Sequence, residues 1–299
     1  MIRIKNISKS FGTIKAVNQM DLTIQNGLVF GMLGTNGAGK STLLRMMAGI
    51  LKPDSGQIYI DGEPVWDNPK AKSKCFYISD DQFYYPNATP SDLISFYKNY
   101  YPTFDETRFR EMLNHFDLDD TRKINTFSKG MKKQVSILLG ICANVPYLLC
   151  DETFDGLDPV MRQAIKSLFE KEIGERELTP IIASHNLREL EDICDHIGIL
   201  HKGGVLLSKD LEDLRCNLLK VQCVLPPETD EQLKQSLDIL KIQRRGKLLT
   251  MTVRGQEEAV MNVIKSFEPI YYESLPLTLE EIFISETEVA GYDMQNLIF

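Results

Sequence analysis

Between Asp151 and Asp158 the chain reads DETFDGLD, which puts four carboxylates, Asp151, Glu152, Asp155 and Asp158, into eight residues directly after the apolar run Tyr147-Leu148-Leu149-Cys150. Three readings are open. Acids beside glycine and proline fit a turn facing water. A calcium loop begins well with Asp151, Asp155 and Gly156, but Thr153 stands at its third position and Arg162 where a bidentate glutamate is needed. An apolar run ending in two acids also reads as a buried strand that delivers Asp151 and Glu152 at its C-terminal end, where open α/β sheets bind ligands. That last reading calls for a phosphate site elsewhere in the chain.

Such a site is written in GLVFGMLGTNGAGKSTLLRMMAGI, from Gly27. An apolar strand is followed by a glycine-rich turn, Gly34-Thr35-Asn36-Gly37-Ala38-Gly39, and then by Lys40, Ser41 and Thr42 opening a helix with apolar residues at helical spacing. The pattern G-x-x-x-x-G-K-[ST] is matched by Gly34, Gly39, Lys40 and Ser41 in the strand-loop-helix context it demands. Glycines let backbone N–H groups close around phosphate oxygens, and the helix N-terminus favours the anion. Lys40 would reach the β and γ phosphates, and Ser41 would give magnesium a hard oxygen ligand. An acid at the end of a neighbouring strand completes the magnesium shell in such sites, and Asp151 takes that role.

The 299-residue chain is long enough for one large domain and a smaller one, and its 43% hydrophobic and 25% charged residues describe a globular protein. A net charge of -8 argues against a nucleic-acid partner, which needs a basic face. The N-terminal MIRIKNISKSFG lacks the apolar centre of a signal peptide, and VSILLGICANVPYLLC is too short and too interrupted to span a bilayer. The six cysteines show no metal or disulfide spacing and read as small buried hydrophobes of a reducing cytosol.

With these motifs in place the chain resembles the ATP-binding subunit of a bacterial, exporter-like ABC transporter. TFSKGMKKQ, Thr126 to Gln134, is similar to the signature motif of that family and LLCDE, Leu148 to Glu152, to its Walker B strand. Gly156 to Asp158 falls at the D-loop, and Ser184-His185 at the switch histidine. The ordered set covers about the first 210 residues. The resemblance implies ATP and Mg2+ as cofactors and a head-to-tail dimer with a second ABC ATPase chain. Ser128, Lys129 and Gly130 of each chain would contact the ATP held by the other. It makes Glu152 the base or polarising group for the attacking water, worth about 100- to 10,000-fold in rate, and His185 a catalytic contact to the γ phosphate. Phe11 would stack on adenine and Asp158 would organise the dimer interface, whereas Asp155 matches no catalytic position and reads as a turn or surface acid.

Two departures from the family pattern stand out. The signature is FSKGM where LSGGQ is commoner, so Lys129 opens a helix against its dipole. Either the partner's γ phosphate compensates it or its ammonium reaches water. Met131 removes an amide that could contact nucleotide. In CFYISDDQFYYPNATPSDL the position that is usually glutamine is Asp80, with Gln82 two residues on. Asp80 or Gln82 is a further metal-ligand candidate, and Asp80 alternatively points away from the triphosphate.

The elements that must position these groups read as an α/β fold: a P-loop NTPase core of the ABC ATPase type, with a mixed sheet, antiparallel β and helical subdomains, plus a small C-terminal α/β domain. VNQMDLTI and SGQIYIDGEPV have the two-residue period of antiparallel strands, and later strand-helix alternation implies a parallel sheet. The expected division is an ATP-binding domain over 1–214, with a helical subdomain over about 86–145 facing the membrane subunit, and an accessory domain over 215–299 for dimerisation or regulation. In the latter, LLKVQCVL, LLTMTV and IYYESL read as strands, EQLKQSLDIL and EEAVMNVIKSF as helices, and LEEIFIS from Leu279 as a closing amphipathic helix. The preferred function is ATP hydrolysis driving a separate integral membrane permease, from the cytoplasmic face of the cell membrane. The alternative is a non-hydrolytic nucleotide-sensing or gating subunit.

Overall fold

The computed structural model describes residues 1–211, 218–278, 280–282 and 284–285. The chain divides into two compact units, Met1–Ser208 and Lys209–Phe299. The expected boundary at 214/215, Cys216, and Leu279 at the start of the expected closing helix lie outside the described residues.

The first unit opens with β1 (Ile2–Phe11) and β2 (Ile14–Ile24), an antiparallel pair whose alternate apolar residues are buried. β3 (Phe30–Leu33) is buried throughout and leads through the phosphate loop into α1 (Lys40–Met47). β4 (Ser55–Ile60) and β5 (Glu63–Pro64) return to the first sheet, giving the order β2-β1-β4-β5. Their two-residue turn is Asp61-Gly62 with φ +50° and +82°, the backbone that an Asp-Gly hairpin turn requires.

After α2 (Pro69–Lys72) and the buried β6 (Cys75–Ile78) comes the helical segment: α3 (Pro90–Tyr100), α4 (Glu106–His115) and α5 (Lys129–Cys142). Thr89 caps α3 in a capping box with Asp92, Asp105 caps α4 and Ser128 caps α5. The chain then alternates: β7 (Tyr147–Asp151), α6 (Pro159–Arg176), β8 (Thr179–Ser184), α7 (Leu187–Ile193), β9 (His196–His201) and β10 (Gly204–Asp210).

The second sheet has the order β10-β9-β3-β8-β7-β6, with β9, β3, β8, β7 and β6 parallel. Its register aligns Leu33 with Ser184, Asp151 with Ala183 and Ile78 with Cys150. Parallel strands end together, so the loops after β3, β6, β7 and β8 share one edge. A core that includes Ile4, Met32, Leu43, Leu149 and Ile181 fixes that edge by packing both sheets against α1.

The second unit runs β11 (Leu218–Val224), α8 (Asp230–Ser236), β12 (Asp238–Arg245), β13 (Leu248–Arg254), α9 (Glu257–Ser266) and β14 (Tyr271–Leu275). This βαββαβ chain forms an antiparallel sheet ordered β12-β13-β11-β14, the split βαβ, ferredoxin-like arrangement. Leu233 of α8 and Val260 and Ile264 of α9 pack on Val221, Leu249 and Met251. The expected helix EQLKQSLDIL is too long. Its helix stops at Ser236, and Asp238 begins β12, a strand the sequence reading missed. Residues Leu233, Leu237 and Leu240 suit either continuation, and pairing with β13 decides it.

No helix among the described residues is long and apolar enough to cross a membrane. Cys75, Cys142, Cys150, Cys194 and Cys223 are free and buried. Burial pushes the Cys75 thiol up to about 12, in keeping with an unreactive hydrophobe.

Candidate functional site

The phosphate loop keeps its shape because two glycines admit no substitute. Gly39 has φ +104°, and a Cβ there would lie 2.4 Å from the Ala16 carbonyl oxygen. At Gly34 a Cβ would meet the Leu200 carbonyl oxygen at 2.6 Å. The loop therefore closes on β2 and β9, and α1 presents its first turn at its rim. The buried Lys40 Nζ donates to the Gly34 carbonyl at 2.7 Å and approaches Glu152 Oε1 at 3.4 Å.

Asp151 ends β7 fully buried, and Ser41 Oγ donates to its Oδ1 at 2.8 Å. Tyr77, from the neighbouring strand β6, donates to Asp151 Oδ2 at 3.0 Å. Burial raises the Asp151 carboxyl above its ordinary range against these two bonds. Burial also pushes the Tyr77 hydroxyl up to about 12, which keeps it a donor. Tyr77 is a site residue that sequence reasoning missed, and only the β6–β7 register could have pointed to it.

Glu152 turns the chain out of β7 with φ +48°, a left-handed backbone rare for a non-glycine residue. Its N–H donates to Ala183 of β8 at 3.0 Å, and its carbonyl accepts from Lys133 Nζ. Its side chain meets His185 Nδ1 at 2.8 Å through Oε2. Asn186 caps α7 just after His185, which fixes where that strand end turns.

These groups converge on a cleft of about 470 Å³. Asn36, Gly37, Gly39, Lys40, Ser41 and Thr42 line one side; Asp80, Glu152, Asp155 and His185 face them, with Ile14 and Ala16 at an end. Thr35 and Ala38 shape the loop through the bond from the Ala38 N–H to the Thr35 carbonyl. Phe11 ends β1 half-exposed beneath the Lys9 ammonium and does not line the cleft.

One expectation is corrected here. Gln82, one of the two extra metal candidates, does not reach the cleft. It lines a separate cavity of about 70 Å³ with Tyr84 and Tyr97, because the chain past β6 turns its amide among aromatic rings. Lys129 is exposed, so its ammonium reaches water, one of the two readings expected for it. Asp155 of the same chain holds its Nζ at 3.0 Å, and that hydrogen bond keeps the Asp155 carboxyl below its ordinary range. Asp155 is the half-exposed turn acid that the sequence suggested, and it lines the cleft as well. Ser128 Oγ accepts from the Met131 N–H, and Asp158 accepts from the Met161 N–H at 2.9 Å to cap α6.

Lys133 was also missed. It is 1% exposed, donates to the Glu152 carbonyl, and stands 3.6 Å from Asp80 Oδ1. Burial pulls its ammonium below the ordinary lysine range, Lys129 adds to that, and Asp155 and Asp80 oppose it.

A phosphate loop after a central parallel strand, with a buried acid on its serine and an acid–histidine pair across the cleft, defines a nucleotide-binding protein of the P-loop class. The chain belongs to the ATP-binding subunits of ABC transporters. The family model described as ABC transporter matches residues 17–155. The chain is 31% identical over 286 residues to the ABC transporter ATP-binding protein YtrB of Bacillus subtilis strain 168, covering 96% of this chain and 98% of that one. It is 32% identical to the bacitracin transport ATP-binding protein BcrA of Bacillus licheniformis, over 72% of this chain and 71% of that protein. Among solved structures, an ATP-binding subunit of an ABC transporter superposes with a TM-score of 0.65 at 26% identity, covering 72% of this chain and 92% of the other. The fold is the α/β ABC ATPase core expected from sequence. These similarities fit the transporter reading and not the sensing-only alternative.

Proposed function

We propose that the chain binds magnesium ATP and hydrolyses it, using Glu152 to polarise or deprotonate the attacking water. The observation that carries this reading is the placement of the Glu152 carboxylate, with one oxygen 2.8 Å from His185 Nδ1 and the other 3.4 Å from Lys40 Nζ. An acid held between two nitrogen donors at the rim of a phosphate loop is oriented for a water at the γ phosphate. His185 orients that carboxylate and contacts the same phosphate. Residues Gly34 to Thr42 bind the phosphates, and Phe11 stacks on adenine. Ser41 and Asp151 offer the hard oxygen set that suits magnesium and are the residues that would hold it. When bound, the ion neutralises phosphate charge.

The active form is a head-to-tail dimer. Its support within the chain is that Ser128, Lys129 and Gly130 do not line their own cleft, which leaves the start of α5 to serve a second ATP. Asp158, at the start of α6, lies at the chain-chain interface, and the accessory domain serves dimer contact or regulation. An integral membrane permease docks on the helical subdomain from the cytoplasmic face of the membrane. Phe83, Tyr85 and Tyr100, 82%, 55% and 64% exposed, form the aromatic surface that supports this docking.

The test is magnesium-dependent ATP hydrolysis by the purified chain over a range of protein concentrations, alone and with its permease. Turnover is expected to rise faster than protein concentration and to fall about 100-fold or more in Glu152→Gln, with ATP binding retained. Hydrolysis undiminished in that variant would sink the reading.

A further inference from the structure

A lysine that is 1% exposed needs a reason, because a buried ammonium is costly unless it is paired and hydrogen-bonded. Lys133 sits one turn beyond Lys129 on α5, the helix that Ser128 caps. Its ammonium donates to the Glu152 carbonyl, and Asp80 is the carboxylate at ion-pair distance, 3.6 Å away. Glu152 also holds a left-handed backbone, at φ +48°, which is costly for a non-glycine residue. The Ala183 carbonyl holds its N–H at 3.0 Å from the β8 side, so Lys133 anchors the second of the two peptide units that flank the Glu152 Cα.

We propose that Lys133 is a positioning residue that clamps the Glu152 backbone and so aims its carboxylate into the cleft, with Asp80 as the counter-ion of the clamp and not a metal ligand. This rests on the ATPase reading above and deepens it. A carbonyl fixed from α5 makes the direction of the Glu152 side chain depend on where α5 lies. Because α5 starts at the residues that serve a second ATP, engagement there is passed through Lys133 to the acid of the chain's own cleft. The contiguous route is Ser128, α5, Lys133 and Glu152, every link of it a packed element or a hydrogen bond. The unusual acid at position 80 and the buried lysine at 133 then explain each other.

The experiment compares Lys133→Met, Asp80→Asn and the double variant in the full chain, reading kcat and KM for ATP, the magnesium half-saturation and the thermal midpoint. Lys133→Met is expected to lower kcat by about tenfold or more with KM changed less than about twofold, a split that loss of fold does not produce. Asp80→Asn is expected to lower kcat in the wild-type background and to add nothing in the Lys133→Met background, since one clamp is broken only once. A kcat within about twofold of wild type in Lys133→Met overturns the clamp. A further loss on adding Asp80→Asn, with a raised magnesium requirement, returns Asp80 to the metal and overturns its counter-ion role. Hydrogen exchange over residues 150–156 is read in parallel and does not need turnover. Faster exchange there in Lys133→Met supports the clamp, and unchanged exchange overturns it. Absence of wild-type hydrolysis counts against the ATPase reading alone.

Discussion

Ser41 and Asp151 lie 110 positions apart in the chain and meet at 2.8 Å across the end of the parallel sheet. β3 and β7 flank β8 in parallel, so the loop that follows the first and the acid that ends the second are delivered to one edge. Tyr77 holds the other Asp151 oxygen, which leaves the carboxylate little rotational freedom. Asp151→Asn keeps the shape and removes the charge. Wild-type nucleotide affinity is expected to rise on adding magnesium, and the variant to lose about tenfold or more of that gain. Titration with a fluorescent ATP analogue, with magnesium or with chelator, measures both; an equal gain in the two proteins would remove Asp151 from the metal's surroundings.

Lys40 is buried at the rim of the loop, and its ammonium is shared between the Gly34 carbonyl and Glu152. Replacing it with alanine removes the cation opposite the β and γ phosphates while leaving the loop glycines in place. ATP-induced association of two chains, followed by light scattering with Glu152→Gln as the background that preserves bound ATP, is expected to disappear in the Lys40→Ala, Glu152→Gln double variant. Association at the same ATP concentration in both backgrounds would separate Lys40 from nucleotide-dependent dimerisation.

The parts of this site legible in the sequence are those in which chemistry is local. Gly34 to Thr42 carry the spacing of a phosphate loop in a strand-loop-helix context, and Asp151-Glu152 follow a short apolar run that suits a buried strand once that loop is recognised. Tyr77, Lys133 and the Lys129–Asp155 pair were not legible, since each depends on which strands are neighbours and how α5 lies over them. Nothing in the pattern KGMKKQ distinguishes the buried Lys133 from the exposed Lys129 and the half-buried Lys132. The missed strand β12 has the same cause in the second unit: its leucines fit a helix until β13 pairs with it. The limit was tertiary override of local preference.

Glu172 on α6 is fully buried and accepts from Arg176 Nε at 2.7 Å and from the guanidinium of Arg108 on α4. Arg176 also donates to the Val145 carbonyl at 2.7 Å, so the cluster ties the helical segment to the parallel sheet. Burial alone would raise the Glu172 carboxyl, and its arginine partners reverse that and hold it below its ordinary range. Glu172→Ala leaves two partly buried guanidinium groups without a counter-charge and is expected to cost roughly 3–5 kcal/mol. Arg108→Ala leaves Arg176 in place and is expected to cost less, about 1–3 kcal/mol. Denaturant midpoints of the two variants give the order, and a larger loss for Arg108→Ala would contradict this account of the cluster.

Asp61 gives the fold a pH dependence whose sign is fixed by its partners. Burial pushes its carboxyl up, but hydrogen bonds from Lys74, the Met1 ammonium and Tyr147 outweigh that and hold it at about 2 against an ordinary 3.8. Lys74 and the Met1 ammonium each lie 2.7 Å from it. Because the folded value is the lower one, the unfolded chain binds this proton more readily, and stability rises with pH. The contribution is complete above the unfolded value and is lost as pH falls from about 4 towards about 2. Its size is at most about 2 kcal/mol, reduced further by the solvent that reaches this turn. The stability difference between the wild type and Asp61→Asn should therefore be constant above about pH 5 and shrink in acid. Urea unfolding at closely spaced pH values measures it; a difference that stays flat down to about pH 2.5 would mean that Asp61 titrates alike in the folded and unfolded chains.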